Sequence, residues 1–282
     1  MQRFRRSIGG SKLVVVRAAG SVLLVTLDSC RYDTFAAGTA PNLKSIGPLH
    51  RALAPAGFTY ASHAAMFVGF TPWVPGTRAP FVNPKAGRIF KLVGAGHPGY
   101  GSEFVRLTGR NIVDGFRRLG HATVGTGAVS WFDPQTEAGT LLTADFDEFL
   151  YVRAPALDAQ LAFLERELER AGDRPVFAFL NVGETHVPYA YAGAPWDATV
   201  NPCKPFSPTN DADECRRRQR ACLEFVDARL AGLLRAFDNA SVVVCADHGD
   251  AWGEDGVWEH GVPHPKVLEV PFLFRLASAP SA

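Results

Sequence analysis

Three groups of polar side chains follow apolar, strand-like runs, and their types suit metal binding. Asp28 follows VLLVTL, Glu184 and His186 follow VFAFLNVG, and Asp247 and His248 follow VVVCA. In a parallel sheet, ligands bind outside the carboxyl ends of the strands. One carboxylate at a strand end is often only a helix N-cap, but three such groups favour a shared site. Carboxylate oxygens with imidazole nitrogens suit Zn, Mn or a similar divalent ion.

A hydroxyl group adds a possible nucleophile. Thr59 lies just before a predicted helix over 62–69, and free N–H groups at a helix N-terminus attract anions. A bound divalent cation lowers the pKa of a hydroxyl and polarises a phosphoryl or sulfuryl oxygen. This combination suits transfer of a tetrahedral anion. The structural alternative is that Thr59 or Ser62 only caps the helix.

The elements that must position these residues alternate between strand and helix. Short apolar runs predict strands at 22–26, 122–125, 176–180, 242–245 and 270–274. Amphipathic runs predict helices at 111–119 and 157–171, with a long one from 222 towards 239. This alternation predicts an α/β fold with a central, mostly parallel sheet. Residues 71–101 and 188–211 are rich in proline and are predicted to be irregular excursions.

The composition argues against nucleic acid and membranes as partners. The 282 residues include 29 Lys and Arg against 28 Asp and Glu, which gives a net charge of +1. Such a balance provides no electrostatic footprint for a polyanion. The basic run 216–220 follows acidic residues and is interpreted as a solvated helix face. No window reaches the ~18–20 apolar residues of a membrane span, so we predict no membrane insertion.

The N-terminus and the cysteines together predict a cytoplasmic location. The basic start resembles a signal peptide, but Arg17, Gly20 and Ser21 interrupt its apolar stretch, so cleavage is not expected. The five cysteines include no CxxC pair, and a reduced setting fits them best.

The chain resembles the sulfatase-like hydrolases of the alkaline phosphatase/sulfatase superfamily, in five segments that follow the family's order. These are SVLLVTLDSCRYD, FTYASHAAMFVGFTP, NVGETHVPY, CADHGDAWGEDGVWEHG and VLEVPFLF. The resemblance implies an alkaline phosphatase-like three-layer sandwich, with one catalytic domain over 1–282. It also implies a metal shared by Asp28, Thr59, Asp247 and His248. By the same resemblance, His186 and His260 hold the transferred group or a second metal.

Two departures from the family pattern refine these expectations. Formylglycine sulfatases carry CxPSR or SxPSR, whereas this chain has Thr59-Tyr60-Ala61-Ser62-His63, so Thr59 is predicted to be the direct nucleophile. Ser29 stands where many sulfatases have a second aspartate, which favours one or two Zn or Mn ions, with Mg or Ca as alternatives. The C-terminal subdomain of sulfatases is expected to be missing, since the chain ends soon after 270–276.

These inferences predict a metal-dependent hydrolase or transferase for small-molecule phosphate esters, diesters or phosphonates. One alternative is a sulfate-ester hydrolase without formylglycine, and another is a non-catalytic metal-binding protein of the same fold. A dinucleotide-binding oxidoreductase is a further alternative, because Gly94, Gly96 and Gly99 match GxGxxG. It is the weaker one, since Pro98 disfavours the helix that this motif must open.

Several residues near these motifs have open roles. His63 is expected to contact either the substrate or the helix surface, and Glu184 either to bind metal or to orient a histidine. His264 could join His260 at a metal through its loop. Arg31 and Asp33 are interpreted as a structural ion pair. For Asp250, Glu254 and Asp255, solvated loop positions are favoured over metal binding.

Overall fold

A computed structural model describes residues 20–69 and 109–277, and between them the backbone of residues 90–93 and 104–107. Its strands are β1 (Val22–Leu27), β2 (His50–Leu53), β3 (Phe90–Val93), β4 (Phe104–Leu107), β5 (Ala122–Gly127), β6 (Glu148–Tyr151), β7 (Val176–Val182), β8 (Ser241–Ala246), β9 (Ala251–Trp252), β10 (Trp258–Glu259) and β11 (Glu269–Arg275). Its α-helices are α1 (Tyr32–Ala37), α2 (Pro41–Lys44), α3 (Thr59–Val68), α4 (Ile112–Arg118), α5 (Glu137–Thr143), α6 (Leu157–Ala171), α7 (Ala212–Ala236) and α8 (Pro265–Leu268).

Seven of these strands form one twisted sheet in the order β2-β11-β8-β1-β7-β5-β6. Strand β1 lies parallel to both β7 and β8, and β5 lies parallel to β7 and β6. Only β11 opposes its neighbours, pairing antiparallel with β8 and β2. The predicted α/β fold with a mostly parallel sheet is therefore confirmed.

The two faces of the sheet carry two separate cores. Alternate residues of a strand point to opposite faces, so Leu23 and Val25 of β1 join one cluster while Val22 and Leu24 contact the other. The first cluster includes apolar residues of α6 and α7, and the second includes residues of α3, α4 and α5. The helices thus form layers on both sides, as the three-layer prediction requires.

The basic run on α7 is only partly the solvated face that its charges predict. Arg216 and Arg217 are exposed, and Arg217 hydrogen-bonds Glu214 and lowers the pKa of that carboxyl to about 2. Arg218 is instead buried, and it donates to Glu214 and to three backbone carbonyls of the 188–211 segment. That side chain therefore anchors the irregular segment to the helix.

The remaining differences concern boundaries. Helix α3 begins at Thr59, three residues before the predicted start, and ends at Val68. Gly69 follows it with a φ of 70°, which suits a glycine after a helix. The GxGxxG match at 94–99 and most of 71–101 lie outside the described residues. No described helix has both the length and the apolar composition that crossing a bilayer requires. The extent of the catalytic domain over 1–282 stays a prediction.

Candidate functional site

Two neighbouring parallel strands bring the central acidic residues together. Asp28 follows β1 and Asp247 follows β8, and Leu27 of β1 lies opposite Ala246 of β8. The two carboxylates therefore leave the sheet at the same edge. Donor atoms of Asp28, Asp247 and His248 all lie within 4.8 Å of one another, and the three side chains are fully buried.

The hydroxyl of Thr59 joins this group from the first turn of α3. Its Oγ1 lies 3.4 Å from Oδ2 of Asp28 and 3.3 Å from Nε2 of His248. Phe58 is the N-cap residue, and no described side chain caps α3. Ser62 bonds both backbone groups of Ala56 instead. The capping alternative is thus wrong for Thr59, whose hydroxyl faces the strand ends.

The electrostatics of the cluster call for a cation. Burial raises the pKa of both Asp28 and Asp247, and the charge of Asp247 raises that of Asp28 further. Burial, reinforced by His260, lowers the pKa of His248 to about 3, so its ring is neutral. Because a carbonyl can only accept, Nδ1–H of His248 donates to the carbonyl of Gly249 at 3.0 Å. Its Nε2 lone pair therefore faces Thr59.

Within the cluster, one carboxylate oxygen has no hydrogen-bond partner among the described residues. Oδ1 of Asp247 accepts from the amides of Ser29 and His248 at 3.2 and 3.0 Å. Oδ2 of the same group is buried without a hydrogen bond from any described residue. Such a bare oxygen is expensive in a protein interior unless something compensates it. Two carboxylates, a hydroxyl and a neutral imidazole around this oxygen fit a divalent cation.

His63 anchors the first turn of α3. Its Nδ1–H donates to the carbonyl of Thr59 at 2.8 Å, and its Nε2 accepts from the hydroxyl of Thr26 at 2.9 Å. The ring is fully buried, with its edge against Phe132. Both predicted alternatives are therefore wrong, because the ring is not on the helix surface and has no nitrogen left for a substrate.

A buried glutamine on α7 connects two of the strand-end loops. Nε2 of Gln219 donates to the carbonyls of Ser29 at 2.8 Å and Thr185 at 3.1 Å. Its Oε1 accepts from the amide of Arg31 at 3.3 Å. The loop after β1, which carries Asp28, and the loop after β7, which carries His186, thus share one anchor.

The two remaining predicted residues lie at the open side of the cluster. Nε2 of His186 is 4.0 Å from Oδ1 of Asp28, and the His260 ring is centred 4.4 Å from that of His248 and 5.2 Å from that of His186. The side chains of His186 and His260 are 25% and 12% exposed. The structure therefore brings all the predicted site residues together, while their roles stay predictions.

Asp250 is a residue that sequence reasoning misjudged. It was expected to be a solvated loop acid, yet it is fully buried and bonds Nδ1 of His260 at 2.7 Å. Its place two residues after His248 was a usable signal, since the loop that starts at the end of β8 must continue beside the cluster. Asp255 is exposed, as expected, and Glu254 is half-buried against Arg31.

Other residues with open roles turn out to be structural. Oε1 of Glu184 accepts from the amides of Ala156 and Leu157, so it caps α6 and neither binds the cluster nor orients a histidine. His264 is the N-cap of α8 and pairs with Asp255, so it does not join His260. Arg31 and Asp33 form the predicted ion pair, a two-pronged one at 2.6 and 2.8 Å.

Comparisons with known proteins agree with this fold and identify the family. A family model described as Sulfatase matches residues 93–281. The C-terminal periplasmic domain of phosphoethanolamine transferase EptC from Campylobacter jejuni is 15% identical, with a TM-score of 0.62, over 92% of this chain and 79% of that one. A protein in the alkaline phosphatase superfamily from Vibrio parahaemolyticus is 16% identical, with a TM-score of 0.54, over 92% and 60%.

A zinc complex is among the similar structures. The C-terminal periplasmic domain of EptC from Escherichia coli in complex with Zn is 12% identical, with a TM-score of 0.58, over 92% of this chain and 73% of that one. At such identities the likeness shows the fold. A search of curated proteins finds no match.

Proposed function

Since the chain belongs to the sulfatase family, within the alkaline phosphatase superfamily, we propose that it is a metal-dependent enzyme that transfers or hydrolyses phosphate esters. The observation that carries this proposal is the position of the Thr59 hydroxyl, which faces Asp28 and His248 instead of capping its helix. A hydroxyl held among metal-binding side chains at the N-terminus of a helix suits attack on a tetrahedral anion.

Asp28, Thr59, Asp247 and His248 would hold the cation. When bound, a divalent ion supplies a lowered hydroxyl pKa and charge stabilisation at the phosphoryl oxygens. Zn or Mn suits this mixture of oxygen and nitrogen donors, and the zinc complex of the E. coli neighbour supports that choice.

The chain's own residues define the reaction path. Thr59 Oγ1 attacks phosphorus in line with the leaving alkoxide, and a phosphothreonine ester forms as the P–O bond to that alkoxide breaks. The proton that the Thr59 hydroxyl gives up balances the one that the alkoxide takes up to leave as an alcohol. His186 and His260, at the open side of the cluster, hold the non-bridging oxygens and stabilise their charge. Water or an acceptor alcohol then attacks the phosphothreonine and regenerates the Thr59 hydroxyl. The identity of that acceptor decides between hydrolase and transferase.

The neighbours favour phosphoryl over sulfuryl transfer. The C. jejuni structure is described as a phosphoethanolamine transferase, and the E. coli structure carries the same EptC name. The absence of a cysteine or serine at position 59 argues in the same direction, because formylglycine is made from those residues. The same neighbours are described as periplasmic domains. The cytoplasmic location therefore gains no support from them and stays a prediction.

The test compares two substitutions of the nucleophile. Thr59→Ser keeps the hydroxyl, whereas Thr59→Val keeps the shape without it, and Thr140→Val on the exposed face of α5 is the matched control. The metal-loaded proteins are assayed with an aryl phosphate, an aryl phosphodiester and an aryl sulfate. We expect turnover of a phosphate substrate in wild type, Thr59→Ser and the control, and none above background in Thr59→Val.

Each other result selects an alternative. Turnover of the sulfate alone would indicate a sulfatase without formylglycine. Metal binding without any turnover would indicate a non-catalytic protein of this fold. Full turnover in Thr59→Val would exclude Thr59 as the nucleophile.

A further inference from the structure

A buried chain of hydrogen bonds ends at His260. Nε1 of Trp252 donates to the hydroxyl oxygen of Tyr189 at 2.8 Å, and that hydroxyl donates to Oδ2 of Asp250 at 2.7 Å. Oδ1 of Asp250 then accepts from Nδ1 of His260 at 2.7 Å. Tyr189, Asp250 and Trp252 are all buried.

The direction of every bond in this chain follows from the chemistry of its first member. An indole N–H can only donate, so the Tyr189 oxygen must accept from Trp252 and direct its own proton to Asp250. The carboxylate accepts at both oxygens, and His260 must carry its proton on Nδ1. Only Nε2 of His260 is then free to face another group.

Trp252 is itself held on two sides. The guanidinium of Arg31 lies over its ring, 4.0 Å from the centroid, and its backbone amide donates to Oε2 of Glu254 at 2.5 Å. Two backbone positions beside the chain have a positive φ, Tyr189 at 56° and Glu259 at 70°. Non-glycine residues adopt this region only when the surrounding structure compensates the strain.

The same contacts argue against a second metal at this place. Donor atoms of His248, Asp250 and His260 lie close enough to hold one. However, both oxygens of Asp250 are engaged, and Nε2 of His248 lies 3.6 Å from Asp28 and Asp247 in the first cluster. His260 is the only member with an uncommitted donor atom.

We propose that Asp250 and Tyr189 are positioning residues, which orient His260 so that its Nε2 faces the group bound at Thr59. This inference rests on the proposed function for the identity of that group. It assigns the two residues no metal and no direct contact with substrate. It also implies that a single metal ion occupies this part of the site.

The test removes one hydroxyl from the chain. Tyr189→Phe deletes only the donor to Asp250, and Tyr191→Phe, which packs on Phe225 nearby, is the matched control. Asp250→Asn is the second variant, because it keeps the shape but lacks the charge. For each metal-loaded protein we measure bound metal by elemental analysis, the Kd for inorganic phosphate by calorimetry, and the His260 ring Nδ1–H resonance by NMR. Where an aryl phosphate is turned over, kcat and KM are measured separately.

We expect Tyr189→Phe and Asp250→Asn to keep the metal content and the fold of wild type. Both should shift the Nδ1–H resonance and weaken phosphate binding or kcat/KM by about 10–100-fold, the usual effect of losing such an orienting partner. The control should change none of these. Metal lost in step with Asp250→Asn and His260→Ala would overturn the proposal and indicate a second metal site. Unchanged phosphate binding and resonance in Tyr189→Phe would also overturn it.

These results separate this proposal from the proposed function. The resonance and the phosphate Kd report on His260 even in a protein that shows no turnover. Failure of the proposed function would appear instead as the absence of Thr59-dependent turnover in wild type.

Discussion

Replacement of Asp247 by asparagine should make the metal-free protein more stable than wild type, and the metal-loaded protein less stable than wild type. In the metal-free protein, two buried carboxylates lie with donor atoms within 4.8 Å. At that distance and an effective dielectric constant of about 20, their repulsion amounts to about 3.5 kcal/mol. Proton uptake relieves part of this repulsion, since the pKa of both groups is raised.

The asparagine side chain fits the space that Asp247 leaves. Its oxygen keeps the two amide donors of Ser29 and His248. Its NH₂ group replaces the unpartnered Oδ2, 3.6 Å from the Nε2 lone pair of His248. We therefore expect metal-free Asp247→Asn to be about 1–3 kcal/mol more stable than metal-free wild type, or roughly 2–10 °C in Tm.

Metal should invert this order. At a concentration 1,000 times its Kd, a ligand that binds only the folded state adds about 4.1 kcal/mol. This exceeds the advantage of the variant, and wild type gains it whereas Asp247→Asn does not. The assay is calorimetric unfolding after dialysis against a chelator, followed by titration of Zn or Mn, with the exposed Asp158→Asn as the control. A metal-free variant less stable than wild type, or an equal response of both proteins to metal, would refute the reasoning.

Three further predictions concern the scaffold. Gly249→Ala should lower stability by about 2 kcal/mol or more and weaken metal binding, because its Cβ would lie 2.4 Å from the carbonyl of Lys266. Gly115→Ala, in open space on a helix, should instead raise stability by about 0.5–1 kcal/mol. Calorimetric unfolding of both variants measures the contrast. Because the pKa of Glu214 is lowered to about 2, its ion pair stabilises the fold above its ordinary pKa of 4.5 and this contribution is lost as the pH falls towards 2. Glu214→Gln should therefore be less stable than wild type at pH 7, by up to about 1 kcal/mol, and equal to it near pH 2. The exposed Asp213→Asn is the control and should match wild type throughout. Denaturant unfolding across this pH range is the measurement, and a stability difference between Glu214→Gln and wild type that does not change with pH would contradict the assignment. All five cysteines are buried, so a thiol reagent should modify none in the native protein and five after denaturation, and a count of three would reveal a disulfide.

Much of the fold and the centre of the site followed from local patterns. Apolar runs that end in polar residues identify the strand ends, so the sequence alone predicted that Asp28, Asp247 and His248 lie together. Thr59 was also identified. Its helix was predicted to begin later, because the residue at the N-cap is Phe58, which is not a helix-start signal.

The residues that were misjudged depend on contacts distant in sequence. Glu184 caps a helix whose first residue lies 27 positions earlier, and the Tyr189 hydroxyl that satisfies Asp250 is 61 positions away. Burial of a polar side chain is decided by which element packs over it, and neither spacing nor residue type records that. His63 follows the same rule, since its partner Thr26 lies on the first strand.

The double anchor at Gln219 adds to a direct contact between two loops of the candidate site, because the hydroxyl of Thr185 donates to the carbonyl of Asp28 at 2.7 Å. The loop with Asp28 and the loop with His186 belong to different strands, yet both attach through their backbone carbonyls to the same amide group on α7. The amide of Asp28 also donates to the carbonyl of Val182 at 2.9 Å, so the two loops are joined both directly and through α7. The spacing of the two loops therefore rests on redundant contacts, and the loss of any one of them leaves the others in place.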